Sequence, residues 1–137
     1  METKILKKIS NNSRTAIILC GGKGTRLGAL GKKIPKTLIK IQGTQIIFYI
    51  LSELIKYKFN NIILPIGYKG YMIENLINKN KILKTKVKLV RTGNDTNIGK
   101  RISLVEKFIK SENTLLLNGD AIFNFNIEKI LLSHEKR

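Results

Sequence analysis

The chain has 137 residues, 42% hydrophobic and 26% charged, which fits about one folded domain with its own core and excludes a disordered tail. Its single cysteine, Cys20, excludes an internal disulfide or a cysteine-built metal site and suits a reducing cytoplasm; no apolar run approaches the roughly 18 residues that would span a bilayer. A net charge of +17, from 26 Lys+Arg against 9 Asp+Glu, raises the question of a polyanionic partner.

Residues 1–13 read as a solvated basic lead-in, without the apolar stretch of a signal peptide, and residues 14–137 as the folded unit. Thr15 to Cys20 (TAIILC) is a short β-branched run stopped by Gly21-Gly22, the pattern of a strand buried on both faces. Five of the eleven glycines fall between Gly21 and Gly31. Ile39 to Ile41 predicts a short extended piece closed by Gly43. Thr44 to Lys58 predicts a helix with Thr44 as its N-cap, since Ile47, Ile50, Leu51, Leu54 and Ile55 share one face. Asn61 to Ile66 reads as a second buried strand, with Pro65 near its end because proline has no ladder donor. A helix over Met72 to Asn80, a strand over Val87 to Val90 and a polar loop over 91–98 follow. Ile102, Val105, Phe108 and Ile109 are spaced for a third helix, Thr114 to Leu117 for a fourth strand, and Ile127 to His134 for a last helix. Such alternation predicts an α/β fold, doubly wound around a mostly parallel sheet, with ligands beyond the carboxyl ends of the strands. The glycine segment after the first strand and Asn118-Gly119-Asp120 after the fourth both lie at that end.

The segment Gly21-Gly22-Lys23-Gly24-Thr25-Arg26-Leu27 suits an anion, because glycines let the backbone approach and a turn of unpaired N–H groups binds negative charge. Lys23 and Arg26 add positive charge, and Arg26 can bridge two phosphate oxygens. Neither a Walker A loop nor a GxGxxG dinucleotide loop is present, since no Gly-Lys-Ser/Thr occurs and position 27 is Leu27.

The longer string from Thr15 to Gly43, which continues through Pro35-Lys36, resembles the signature of the sugar-1-phosphate nucleotidylyltransferases. That signature is a strand, GGxGTRL, then PK, an apolar run and a glycine. The resemblance extends to about Ile130 and includes a strand ending in Gly119-Asp120. It implies a Rossmann-like nucleotide-diphospho-sugar transferase fold and a magnesium-dependent enzyme in polysaccharide biosynthesis. An acceptor phosphate would attack the α-phosphorus of a nucleoside triphosphate and release pyrophosphate. By the same resemblance Cys20, Gly21, Gly22, Lys23, Gly24, Thr25 and Arg26 would surround the triphosphate. Arg26 and Lys36 would be catalytic, Arg26 on the leaving pyrophosphate and Lys36 on the incoming phosphate. Asp120 would bind Mg2+. Cys20 reads as a packed residue rather than a reactive one.

Residues 91–102 contain the string TGxDTxxGxRI, which looks like the base-reading segment of cytidylyltransferases that activate glucose 1-phosphate, with Lys100 where a second glycine is usual. CTP is therefore favoured over UTP or dTTP, and Thr92, Gly93, Thr96, Gly99 and Arg101 complete the nucleotide set. Asp95 alone reads as a local turn residue. The acceptor would be a sugar 1-phosphate or another small phosphate compound, phosphocholine included. Family members carry a second half with another metal-binding aspartate, and no aspartate follows Asp120. The expectation is thus an incomplete fold, the N-terminal portion of the domain, with little turnover alone and with a homo-oligomer or the missing C-terminal half as the candidate protein partner.

Two other classes compete. A nucleic-acid-binding module would explain the charge, but 21 of the basic residues are Lys, they are spread along the chain, and Phe48, Phe59 and Phe108 fall in the apolar pattern instead of on a stacking face. Lys, Asn and Ile together supply 57 residues, all with AT-rich codons, so composition bias explains part of the lysine content. The expectation is no nucleic acid and no membrane. A non-catalytic regulatory domain is disfavoured by the intact Arg26, Lys36 and Asp120.

Overall fold

Four short apolar segments become neighbouring strands in the computed structural model, which describes residues 13–137; all of the lead-in except Ser13 lies outside the described residues. In chain order the elements are β1 (Thr15–Leu19), α1 (Ala29–Lys33), β2 (Lys40–Ile41), β3 (Thr44–Gln45), α2 (Ile46–Lys56), β4 (Asn61–Ile66), α3 (Gly70–Asn78), α4 (Lys81–Lys86), β5 (Val87–Arg91), α5 (Ile98–Val105), β6 (Thr114–Asn118) and α6 (Ile127–Glu135). Single 3₁₀ turns occupy Thr25–Leu27, Lys36–Leu38 and Glu106–Phe108.

The main sheet has the order β5-β4-β1-β6 with every neighbouring pair parallel. Thr15 stands opposite Asn61 on one side and Thr114 on the other. The pleat sends alternate residues of β1 to opposite faces. Ala16 and Ile18 join a core built with α2, α3 and α6, while Ile17 packs with Ile63 and Val105 on the α5 side. A strand covered on both faces must be apolar throughout, as TAIIL and NIILPI are. β1 pairs with β4 as far as Ile17–Ile63, short of Pro65, which has no N–H to offer. The doubly wound parallel fold expected from the alternation is the fold observed.

The elements between the strands differ in detail. Thr44 does not cap a helix. It pairs with Ile41 in a two-residue hairpin, and α2 begins at Ile46. Gln42 and Gly43 both have positive φ, 49° and 82°, as the favoured hairpin turn demands. The helix expected over 72–80 is α3, shifted two residues towards the N-terminus, and a further helix that was not expected, α4, follows it. Lys79 ends α3, and Asn80 caps α4, its side chain accepting from the N–H groups of Ile82 and Leu83.

The chain leaves β1 towards β4 on one side of the sheet and returns to β6 on the other. This reversal opens a crevice at the carboxyl ends of β1 and β6. The Gly119 N–H donates to the Leu19 carbonyl at 3.0 Å and holds the two strand ends together there.

Candidate functional site

Past Leu19 the chain turns through Cys20 and Gly21, both buried, into an exposed loop. Among the described residues the N–H groups of Gly22, Lys23, Gly24 and Thr25 have no intramolecular acceptor. A run of free donors costs little at the surface and suits an anion. Gly24 sits in the left-handed region, φ 62° and ψ 33°, and its carbonyl accepts from Leu27 at 3.0 Å to close the turn. Gly31 on α1 packs so tightly under this turn that a Cβ there would lie 2.1 Å from the Gly24 oxygen.

The loop forms one wall of a cavity of about 800 Å3. Lys36 and Thr37, residues 94–99 and Asn118 to Asp120 supply the others. Lys36, half-buried just after the buried Pro35, brings Nζ to 3.5 Å from Asp120 Oδ2. Lys23 forms an ion pair with Asp95, linking the glycine loop to the loop after β5. Both pairs are substantially exposed and add little to stability. They leave cations and carboxylates free to exchange partners when a charged ligand enters.

Cys20, Gly21, Gly22, Lys23, Gly24, Lys36, Thr96, Gly99, Arg101 and Asp120 all line this cavity. Thr25, Arg26, Thr92 and Gly93 are not among its lining residues. Arg26 is exposed on the 3₁₀ turn beside the loop. Thr92 is buried, and its hydroxyl donates to the Ile66 carbonyl at 3.0 Å. Arg101 is also buried; its guanidinium donates from Nη2 to the Gly21 carbonyl at 2.8 Å and from Nη1 to the Thr92 hydroxyl oxygen at 2.5 Å. Burial draws its pKa below the usual guanidinium value. Asp95, read from sequence as a turn residue, stands on the cavity wall, as do Asn94 and Asn97. Only the packing of the 91–98 loop against the glycine loop assigns them there. Gly67, directly after the buried strand NIILPI, lies outside the lining but packs against it, since a Cβ there would stand 2.4 Å from the Gly93 carbonyl oxygen and 2.8 Å from Arg101 Nη1.

Cys20 is packed, its Sγ 4.0 Å from the Thr37 hydroxyl. Burial pushes the thiol up to about 12, against a smaller opposing effect of the Thr37 contact. The expected result is that a water-soluble disulfide reagent at about pH 8 leaves the native chain unmodified and labels one thiol per chain after unfolding. Rapid labelling of the native protein would show that the thiol is accessible.

No group of three or more metal-ligating side chains occurs among the described residues. That excludes an all-protein cage of such side chains there, not Mg2+. This ion commonly takes one or two carboxylates and completes its octahedron with phosphate oxygens and water. Asp120, half-exposed on the wall of a cavity rich in phosphate-type donors, fits that mode.

Residues 15–137 match the family described as nucleotidyl transferase. The chain is 35% identical to a D-glycero-alpha-D-manno-heptose 1-phosphate guanylyltransferase of Campylobacter jejuni, covering 88% of this chain and 54% of that protein. It is 31% identical to a probable glucose-1-phosphate cytidylyltransferase of Bacillus subtilis, covering 89% and 56%. A crystal structure of HddC from Yersinia pseudotuberculosis complexed with GMP-PN superposes with a TM-score of 0.75 at 26% identity, over 88% of this chain and 53% of that one. The chain spans about half the length of the curated relatives it matches. Among the described residues, no helix is long and apolar enough to cross a membrane.

Proposed function

Because the chain belongs to the nucleotidyl transferase family, we propose that its cavity holds a nucleoside triphosphate, CTP being favoured, and that the protein transfers the nucleoside monophosphate to a sugar 1-phosphate. The observation that carries this reading is the run of unpaired N–H groups from Gly22 to Thr25, on a cavity that also presents Lys23, Lys36 and Asp120. In the reaction an acceptor phosphate oxygen bonds to the α-phosphorus, the bond from that phosphorus to the bridging oxygen breaks, and pyrophosphate leaves. Both reactants are anions, so most of the catalysis is positioning and charge neutralisation.

The glycine loop would orient the β- and γ-phosphates through its N–H groups. Lys36 would hold the acceptor phosphate near the α-phosphorus. Arg26, exposed beside the loop, would fold over it and stabilise charge building on the pyrophosphate. Asp120 would hold Mg2+, which when bound neutralises phosphate charge and orients the reacting oxygens. Lys36, paired with Asp120 in the structure, would be free to serve a phosphate wherever that carboxylate holds the metal. A cytoplasmic setting belongs to the same reading, because phosphorylated sugars and nucleoside triphosphates are found there.

The cytidylyl preference is supported by the string TGxDTxxGxRI over Thr92 to Ile102 and by the name of the Bacillus subtilis relative. The Campylobacter jejuni relative is named a guanylyltransferase, so GTP is the competing base. Thermal-shift ranking of CTP, UTP, dTTP, ATP and GTP, each with Mg2+, separates them. At one common concentration the triphosphate with the lowest Kd raises the melting temperature most, by several degrees where that concentration is about 100 times Kd. CTP is expected to give the largest shift. A larger shift with GTP overturns the base assignment, and no shift with any triphosphate overturns the nucleotide reading itself.

A further inference from the structure

Three strand ends converge on one side chain. The guanidinium of Arg101, carried on α5, donates to Gly21 after β1 and to Thr92 after β5; the Thr92 hydroxyl in turn donates to Ile66, the last residue of β4. Glycines make room for it. A Cβ on Gly21 would lie 2.1 Å from Arg101 Nη1, and one on Gly67 would lie 2.8 Å from Nη1 and 2.4 Å from the Gly93 carbonyl. The residue is only 4% exposed. A planar fork that reaches acceptors on two loops at once is a property of arginine, which the single ammonium of lysine cannot reproduce.

We infer that Arg101 is a positioning residue, whose guanidinium sets the spacing between the glycine loop and the loop after β5 so that the two ends of a nucleoside triphosphate are held together. The inference rests on the nucleotide reading above and assigns Arg101 a role through Gly21 and Thr92, not through contact with phosphate. The glycine loop keeps its own shape from the Gly24 turn and the Gly31 contact. Inorganic phosphate chains therefore bind it without Arg101. A nucleotide, which must engage both loops, does not bind well.

Calorimetric titration of inorganic tripolyphosphate, CTP and GTP, with Mg2+, into the wild-type chain, Arg101→Lys and Gly67→Ala tests this. Gly67 lies outside the cavity lining, and its added Cβ would crowd Arg101 Nη1 at 2.8 Å together with the Gly93 and Gly21 carbonyls at 2.4 and 3.0 Å, so it strains the same junction between the two loops that the guanidinium spans. Both variants are expected to hold tripolyphosphate within about twofold of wild type, to bind the preferred triphosphate about tenfold more weakly and to lose most of the preference between bases. Equal losses for tripolyphosphate and nucleotide would make Arg101 a direct phosphate ligand. Unchanged nucleotide binding would deny it any role. Either result overturns the inference. If the variants do not fold, nitrogen NMR of the wild-type guanidinium decides. Slow rotation before and after tripolyphosphate addition supports the strut, and free rotation before addition, or a new phosphate-bonded signal after it, overturns it. A wild-type chain that binds neither tripolyphosphate nor any nucleotide overturns the nucleotide reading and with it this role. Wild-type binding with uncoupled variants that behave normally overturns this role alone.

Discussion

Gly31→Ala is expected to weaken nucleotide binding by on the order of 100-fold while leaving the parallel sheet folded. On helix propensity alone the substitution is favourable, by about 1 kcal/mol. The new Cβ, however, would stand 2.1 Å from the Gly24 carbonyl oxygen and 3.0 Å from its carbon, and these are backbone atoms that no rotamer can move aside. Overpacking of this kind costs roughly 1–3 kcal/mol, and relief here requires the Gly24 turn to move. That turn positions the free N–H groups. Displacing a binding group by about 1 Å can cost on the order of 100-fold. Calorimetric titration with the preferred triphosphate, paired with thermal unfolding, measures both effects. A Gly31→Ala chain that binds nucleotide like wild type would show that the turn is not the phosphate cradle.

Asp120→Asn is expected to remove the Mg2+ dependence of triphosphate binding with little change in melting temperature. Its pairing with Lys36 is long, 3.5 Å, and both side chains are more than a third exposed or close to it, so the structural contribution is small. The functional contribution is not. An amide keeps the shape of the carboxylate but loses the charge that a hard divalent cation requires. In the wild type, Mg2+ should strengthen triphosphate binding; in the variant, affinity should be the same with the ion or with a chelator. Lys36→Ala should behave differently. It removes a charge-assisted contact of about 1.5–3 kcal/mol to the acceptor phosphate, weakening sugar 1-phosphate binding by roughly 10- to 100-fold, yet leaves the Mg2+ effect on triphosphate binding in place. If Asp120→Asn retains a full Mg2+ effect, the metal role belongs to another residue.

The strands and the cradle were readable for a simple reason. A strand covered on both faces has no polar alternative, so TAIIL and NIILPI announce themselves, and a glycine-rich segment directly after such a strand stands where a parallel sheet puts its ligands. Thr44 was misread as a cap because a threonine before a helical run looks the same in sequence whether it caps the helix or closes a hairpin. The positive φ values at Gln42 and Gly43 decide between the two, and neither is visible in the residue names. The extra helix α4 was hidden because Lys81–Lys86 exposes most of its surface and carries only Leu83 to the core, too short a stretch to show a period.

The net charge was a poor guide to the site. The cavity itself carries a mixed set, Lys23, Lys36 and Arg101 against Asp95 and Asp120, and of these five only Asp95 was not assigned to ligand or metal binding by its place in the sequence. Local order of residues determined the alternation, the apolar strands, the anion-binding loop and the family to which they belong, because each depends on neighbours a few positions apart. Tertiary structure alone decided that Lys36 meets Asp120, that Lys23 meets Asp95, and that Gly21, Gly67 and Thr92 close around Arg101. Those contacts follow from β1 lying between β4 and β6, and strand order is set by how helices cross the sheet, which leaves no mark on the periodicity of any single segment.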